Sequence, residues 1–198
     1  MKCLMLDVDG VVVHGRPEDG QLWAKNIERD LGIVPERLHA LFFAPHWDAI
    51  VTGRKNLVSV LEEILPLLTH SITAQSFIEY WFERDSRVDE AVLMECDELR
   101  KRGVRIFLAT NQEHMRAQYI MDRLSLRKRV DGMIYSAEIA ARKPQRSFFE
   151  VALKRSGFAA GETILVDDTK ANVIAALNAG WQAVHWSEGS SLIELLSY

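Results

Sequence analysis

Two aspartates, Asp7 and Asp9, close the first apolar run of the chain, Cys3-Leu4-Met5-Leu6, and Gly10 follows them. Alternate side chains share a face on a strand, so the two carboxylates are expected to point the same way. At roughly 4 Å such a pair repels by about 4 kcal/mol at an effective dielectric of about 20. It therefore needs a cation, a shared proton, or room to splay into water. Taken alone, the pair fits a solvated acidic strand end as well as a reactive one. Three more groups carry chemistry: Thr110-Asn111, Arg142-Lys143-Pro144, and Asp167-Asp168 with Asn172 one helical turn further. Each has a plain explanation by itself, as a helix start, a loop or a helix cap.

The elements that would position these residues are short apolar runs. Cys3–Leu6, Val104–Ala109, Met133–Tyr135, Thr163–Val166 and Gln182–His185 have the composition of buried strands. The first four are each followed by enough chain for a helix, which predicts a parallel sheet covered on both faces. Helix ends are visible too. Asp89 is placed to cap a helix running to Arg102 before Gly103, and Thr169 one that Gly180 closes. A third helix is expected over Gln145–Ser156, ahead of Gly157. The fold class is thus α/β, a doubly wound parallel sheet with a Rossmann-like core. One interval departs from the rhythm, because residues 16 to 86 contain four helical stretches, Gln21–Leu31, Glu36–Phe43, Lys55–Leu65 and Thr73–Arg84. A small all-helical cap inserted after strand 1 accounts for it. The expected division is an α/β core of residues 1–15 and 87–198 and a cap of residues 16–86.

Ligands in such sheets bind outside the carboxyl ends of the strands, and every group named above falls there. Four aspartates at one sheet edge are untenable with Lys143 as the one balancing charge. A hard divalent cation with oxygen ligands is the natural supplement, and Mg²⁺ suits a few carboxylates plus water and phosphate.

Composition excludes several classes. A net charge of −4 gives no electrostatic case for nucleic acid or an anionic membrane surface. No apolar run approaches the roughly 18 residues that span a bilayer. Asp7 and Asp9 interrupt what would be a signal peptide, and Cys3 and Cys96 lack metal-type spacing, so a cytoplasmic protein with reduced thiols is expected. The basic cluster Arg123, Arg127, Lys128 and Arg129 is expected to be a solvated helix end. The helical stretch is rich in aromatics. Most should form its core, with His46, Trp47, Arg54 and Trp81 the candidates for facing a substrate. His14, just after the first motif, is expected to be a solvent-facing loop histidine, with reach to the site's mouth as the alternative. His185 and Trp186 are expected to be structural.

The motifs resemble those of the haloacid dehalogenase-like hydrolases, in the phosphatase branch with a helical cap inserted after the first motif. Asp7-Val8-Asp9-Gly10-Val11 matches the first motif, Thr110 the second, Lys143 the third, and Asp167-Asp168 with Asn172 and Gly180 the fourth. The resemblance implies a sheet ordered 5-4-1-2-3 and a Mg²⁺-dependent phosphomonoester hydrolase working through an aspartyl-phosphate. Its substrate would be a small phosphorylated metabolite, a sugar phosphate or nucleotide-like. It implies Asp7 as nucleophile and Asp9 as acid and base, with Gly10, Thr110, Asn111 and Lys143 around the phosphate. Asp7, the Asp9 carbonyl and Asp167 would hold the metal, while Asp168 would bind a metal water or orient Lys143. The second carboxylate separates this reading from dehalogenation, which has no use for Asp9. A phosphosugar mutase shares all four motifs but would need a second phosphate site, for which Arg54 and Lys55 are candidates. A catalytically silent phospho-acceptor or interaction module is the remaining alternative.

Overall fold

A computed structural model describes residues 1–70 and 72–196; Ser71, Ser197 and Tyr198, which the expected domains include, lie outside it. Five strands form one parallel sheet: β1 (Cys3–Leu6), β2 (Arg105–Thr110), β3 (Gly132–Tyr135), β4 (Thr163–Asp167) and β5 (Gln182–His185). Their spatial order is β3-β2-β1-β4-β5, the order that the resemblance implies. The central strand β1 is buried along its whole length and feeds two cores. Leu4 and Leu6 pack with Val92, Leu93 and Ile120 on one face. Cys3 and Met5 pack with Phe148, Phe149 and Trp181 on the other. Each such large apolar side chain contributes about 1.5–3 kcal/mol on full burial, so both faces of β1 hold the sheet to its helices. Both cysteines are free and buried. Among the described residues no helix is long and apolar enough to cross a membrane.

Register sets the site. Leu6 sits opposite Leu108 on β2 and Val166 on β4. Asp7 and Asp167 therefore follow at the same level on neighbouring strands, and the Asp7 amide donates to the Val166 carbonyl at 2.9 Å.

Between β1 and β2 the chain forms a helical block with its own hydrophobic core, including Phe42, Leu61, Phe77 and Trp81. Asn56 and Thr73 cap helices Leu57–Leu68 and Ala74–Arg84 by accepting from Ser59 and Ser76 amides. Three sequence expectations need correcting. The stretch expected to end at Phe43 before Pro45 continues through helical turns from Pro35 to Val51, with one wide π-type turn at His39–Phe43. That turn shifts the hydrogen-bond ladder by one residue just where Pro45 has no N–H to give. Pro66 lies inside Leu57–Leu68 rather than after it. Both Pro66 and Glu62, whose carbonyl loses its donor, are exposed, so water can replace the missing bond. Thr169 makes no side-chain cap, and the Asp167 carboxylate accepts its amide instead.

Two crossovers join the block to the sheet and pair antiparallel through Val13 and Val88. Asp89 then caps helix Glu90–Lys101 by accepting from the Ala91 and Val92 amides. The far tip of the block rests on the segment after β3, which begins with the short helix Ser136–Ile139. The Ser136 hydroxyl donates to the Val51 carbonyl at 2.5 Å, and Arg142 reaches Asp48 at 3.3 Å. Gly53 is left-handed (φ 72°), and a Cβ there would lie 2.4 Å from the Ala137 carbonyl oxygen. Gly32 has a similar φ of 68° with nothing within 4 Å. Gly32→Ala should therefore cost the backbone strain alone, about 1–2 kcal/mol. Gly53→Ala should cost more, because it also lifts the tip. Urea unfolding of both variants checks this, and equal losses would mean that the tip does not press on the core.

Candidate active site

The loop after each strand delivers one part of the site. Beyond β1 the chain turns at once, with the amides of Val11, Val12 and Val13 all converging on the Val8 carbonyl. Asp7 stays buried at 8% exposure, whereas Asp9 lies on the wall of an open cavity and is reached by solvent. Strand alternation does not set this pair, since β1 ends at Leu6 and Asp9 already belongs to the turn. Gly10 carries that turn over Asp168 with φ 80°, and a Cβ would fall 2.4 Å from its Oδ2. Any other residue would have to adopt this left-handed backbone and force the exposed Asp168 carboxylate aside.

Lys143 is the centre of the site. Its ammonium is fully buried, 3.0 Å from Asp7 Oδ1 and 2.5 Å from Asp167 Oδ2. Asn111, just past β2, accepts the Lys143 amide at 2.8 Å. Its own amide donates to the Lys143 carbonyl at 2.9 Å. Its side chain is therefore spent on placing the lysine. Asp167 also accepts from Asn172 Nδ2 at 3.0 and 3.1 Å and from the Thr169 amide at 2.9 Å. Asp7 Oδ1 accepts from the Val8 amide at 2.7 Å, while Oδ2 has no protein partner among the described residues. The Thr110 hydroxyl, at the end of β2 and buried, likewise has none among them. Asp168 is exposed and accepts from the Thr169 hydroxyl at 3.2 Å. The lysine is bridged by Asp167, not Asp168.

The charges do not balance. Burial would lower the Lys143 pKa, but Asp7 and Asp167 outweigh it and hold the ammonium protonated. Burial lifts Asp7 to about 7, with Lys143 opposing and Asp167 and Asp9 adding to the rise. Desolvation also raises Asp9, against Arg116 and the hydrogen bond from Gln112. One oxygen each from Asp7, Asp167 and Asp168 lies within 4.8 Å of the others. An all-oxygen, all-anionic donor set of this kind fits a hard divalent cation.

A cavity of about 540 Å³ opens beside Asp9, lined by Gly10, His14, Trp23, Asp85, Arg87 and Trp186 among others. Of the block residues expected to face it, Trp47 and Trp81 pack instead into an aromatic cluster, their ring centroids 5.6 Å apart. Arg54 pairs with Asp48, and His46 meets Lys55 at 3.1 Å. His185 Nε2 donates to the Asp168 carbonyl at 2.8 Å, so it steadies the fourth strand's loop.

The residues not anticipated are Gln112, Asp85 and Arg116. Gln112 donates to Asp9 at 2.6 Å. Arg116 is buried, stacks near Phe82 and Tyr119, and donates to the Phe82 carbonyl at 3.2 Å and to the Asp85 carbonyl. Asp85 is lifted to about 6 by burial and Asp9, with Arg116 opposing. Gln112 was open to the strand-end argument, two residues past Thr110. Arg116 and Asp85 had no periodicity or spacing to mark them.

Comparison with known proteins gives the family. A haloacid dehalogenase-like hydrolase model matches residues 1–180, and the chain belongs to that family. A phosphorylated carbohydrates phosphatase of Thermotoga maritima is 22% identical, covering 98% of this chain and 91% of that protein. A sesquiterpene phosphatase of Aspergillus oryzae is 34% identical over 91 residues, 46% of each protein. Among solved structures, a haloacid dehalogenase family enzyme of Bacteroides thetaiotaomicron, in complex with magnesium and inorganic phosphate, superposes with a TM-score of 0.80 at 16% identity. It covers 99% of each chain. An L-2-haloacid dehalogenase of Xanthobacter autotrophicus has a TM-score of 0.68 at 16% identity, covering 96% of this chain and 79% of that one. At these identities the structures share the fold.

The raised Asp7 carboxyl carries a pH dependence. Its ordinary value is 3.8 and its folded value about 7, so the folded state binds more protons between the two. Stability from this group is therefore present below pH 4 and declines as pH rises toward 7. Asp7→Asn should stabilise the metal-free protein at pH 8, with the gain fading toward pH 4. Thermal melts of both proteins in chelator across that range check it, and a pH-independent difference would contradict the burial of a charge at Asp7.

Proposed function

We propose that the protein is a Mg²⁺-dependent phosphomonoester hydrolase that works through an aspartyl-phosphate on Asp7. Its substrate would be a small phosphorylated metabolite. The observation that carries this reading is the buried Lys143 bridge, which ties one oxygen of Asp7 and leaves Oδ2 without a partner among the described residues. A nucleophile needs such a free oxygen and a fixed position. Asp7 Oδ2 attacks phosphorus while Asp9 protonates the departing ester oxygen. Asp9 then takes a proton from the water that cleaves the acyl phosphate. Lys143, the Thr110 hydroxyl and the backbone at Gly10 stabilise charge on the phosphoryl oxygens.

Asp7, Asp167 and the Asp9 carbonyl would hold Mg²⁺, with Asp168 beside them. Bound there, the cation would neutralise phosphate charge and keep Asp7 ionised near pH 7. The magnesium and phosphate in the Bacteroides enzyme and the activities of the two phosphatase relatives support this assignment. Residues 16–86 would act as a cap over residues 1–15 and 87–198, excluding water and bulky esters. The hydrolase is favoured over a mutase because Arg54 and Lys55 are engaged with Asp48 and His46 instead of converging on a second phosphate.

Purified protein should release phosphate from small phosphate esters with Mg²⁺ and stop in EDTA. Asp7→Asn should remove turnover while leaving the fold intact by circular dichroism. Asp9→Asn should slow turnover by about 10²–10⁴, the usual worth of general acid–base catalysis. Undiminished activity in EDTA would sink the metal assignment, and substantial turnover by Asp7→Asn would sink the nucleophile.

A further inference from the structure

We propose that Gln112 is a positioning residue that decides which oxygen of Asp9 exchanges a proton with the leaving group. The proposal rests on Asp9 being the acid and base of the hydrolase reading. Gln112 leaves the end of β2 with only 3% of its surface exposed, in contrast to the solvent-reached Asp9 that it contacts. Its Nε2 lies 2.6 Å from Asp9 Oδ2. A side-chain amide nitrogen donates and does not accept. Oδ2 is thereby held as an acceptor, and the catalytic proton is left to Oδ1. Among the described residues no other protein group hydrogen-bonds the Asp9 carboxylate. Without Gln112 no hydrogen bond from the described residues would distinguish its two oxygens.

Gln112 is itself anchored. Its carbonyl accepts from the Ala137 amide at 3.2 Å and lies 3.2 Å from the Ser136 hydroxyl. That hydroxyl is 2.5 Å from Val51 of the helical block and has one hydrogen to share. The segment that receives the block's tip is thus the segment that steadies the residue behind Asp9.

In the phosphoryl-transfer step a bond forms between Asp7 Oδ2 and phosphorus and the ester P–O bond breaks. Its electron pair goes to the ester oxygen, which takes the proton from Asp9 Oδ1. An alkyl alkoxide leaves poorly and needs that proton. A dinitrophenolate leaves readily and does not. A positioning defect at Asp9 must therefore discriminate between leaving groups, which a general loss of packing or of phosphate binding would not do.

Gln112→Met keeps the buried volume and removes the donor, and Gln112→Leu repeats the deletion with a different shape. Single-turnover phosphorylation of the full chain with Mg²⁺ should be measured with a simple alkyl phosphate and with 2,4-dinitrophenyl phosphate. The expected result is a loss of about 10²-fold on the alkyl ester, the scale of a misplaced catalytic group, with the dinitrophenolate burst unchanged in rate. An equal loss on both esters, or no loss on either, would overturn the proposal. Asp9→Asn measured alongside separates the two levels. If it shows the selectivity and the Gln112 variants do not, Gln112 alone is misassigned. If it shows none, the acid role of Asp9 fails and the Gln112 assignment falls with it.

Discussion

A lysine ammonium with no contact to water, held between two carboxylates, is the constraint on which the rest of this structure depends. Removing such an ion from water costs several kcal/mol even after relaxation, and only close, well-directed partners offset it. Lys143 has them at 3.0 and 2.5 Å. Those partners stand side by side because β1 and β4 are neighbours in register, which places Asp7 and Asp167 at one level. The lysine itself comes from beyond β3, two strands from β1 in the sheet order. Its loop must cross the end of β2, and the double hydrogen bond from Asn111 fastens it there. Sheet order, register and loop path thus converge on one cation.

The helical block is held to this frame at its two ends. At the hinge, the crossovers pair through Val13 and Val88, and buried Arg116 donates to the Phe82 carbonyl in the last turn of helix Ala74–Arg84. A cation at a helix C-terminus satisfies carbonyls that the helix leaves unpaired. At the tip, Gly53 and Val51 meet the segment after β3. Both contacts abut residues next to the chemistry. Arg116 is the leading influence favouring ionised Asp9, and Ser136 backs Gln112. Short paths of hydrogen-bonded groups thus run from both ends of the block toward the acid.

Much of this was legible in the chain because parallel strands are apolar on both sides and their exits are not. The runs Cys3–Leu6 and Thr163–Val166 stop at aspartates, and the sheet rule for ligand position does the rest. Helix ends at Asp89, Gly103 and Gly157 were equally plain, since caps act within a turn of sequence. The order of strands came from resemblance to a known family, as periodicity has no information on which strand lies beside which. The failures have local causes. Pro45 and Pro66 looked like breaks, but a wide turn absorbs one and solvent the other. Trp47 and Trp81 were candidates for the cavity because a sequence does not say which face an aromatic turns inward. Arg116 and Asp85 were invisible because their partners are distant in the chain, 31 positions apart from each other.

The two aspartates at the start of the chain show what surroundings add to identity. Both follow β1, and both have carboxyls pushed above the usual range, with desolvation the leading cause. Asp7 is buried against Lys143, which favours its charged form and ties Oδ1. Asp9 stands on the cavity wall, where a neutral amide ties Oδ2 and Arg116 is the cation that most favours its charged form. A carboxylate tied at one oxygen by a buried ammonium is fixed in place to attack with the other. One held by an amide at a single oxygen and open to the cavity is placed to give up and regain a proton. Paired titratable groups whose environments differ in this way divide acid from nucleophile without any difference in residue type. The turn at Val8 and Gly10 supplies that difference within three residues, by leaving one side chain in the sheet and carrying the other out of it.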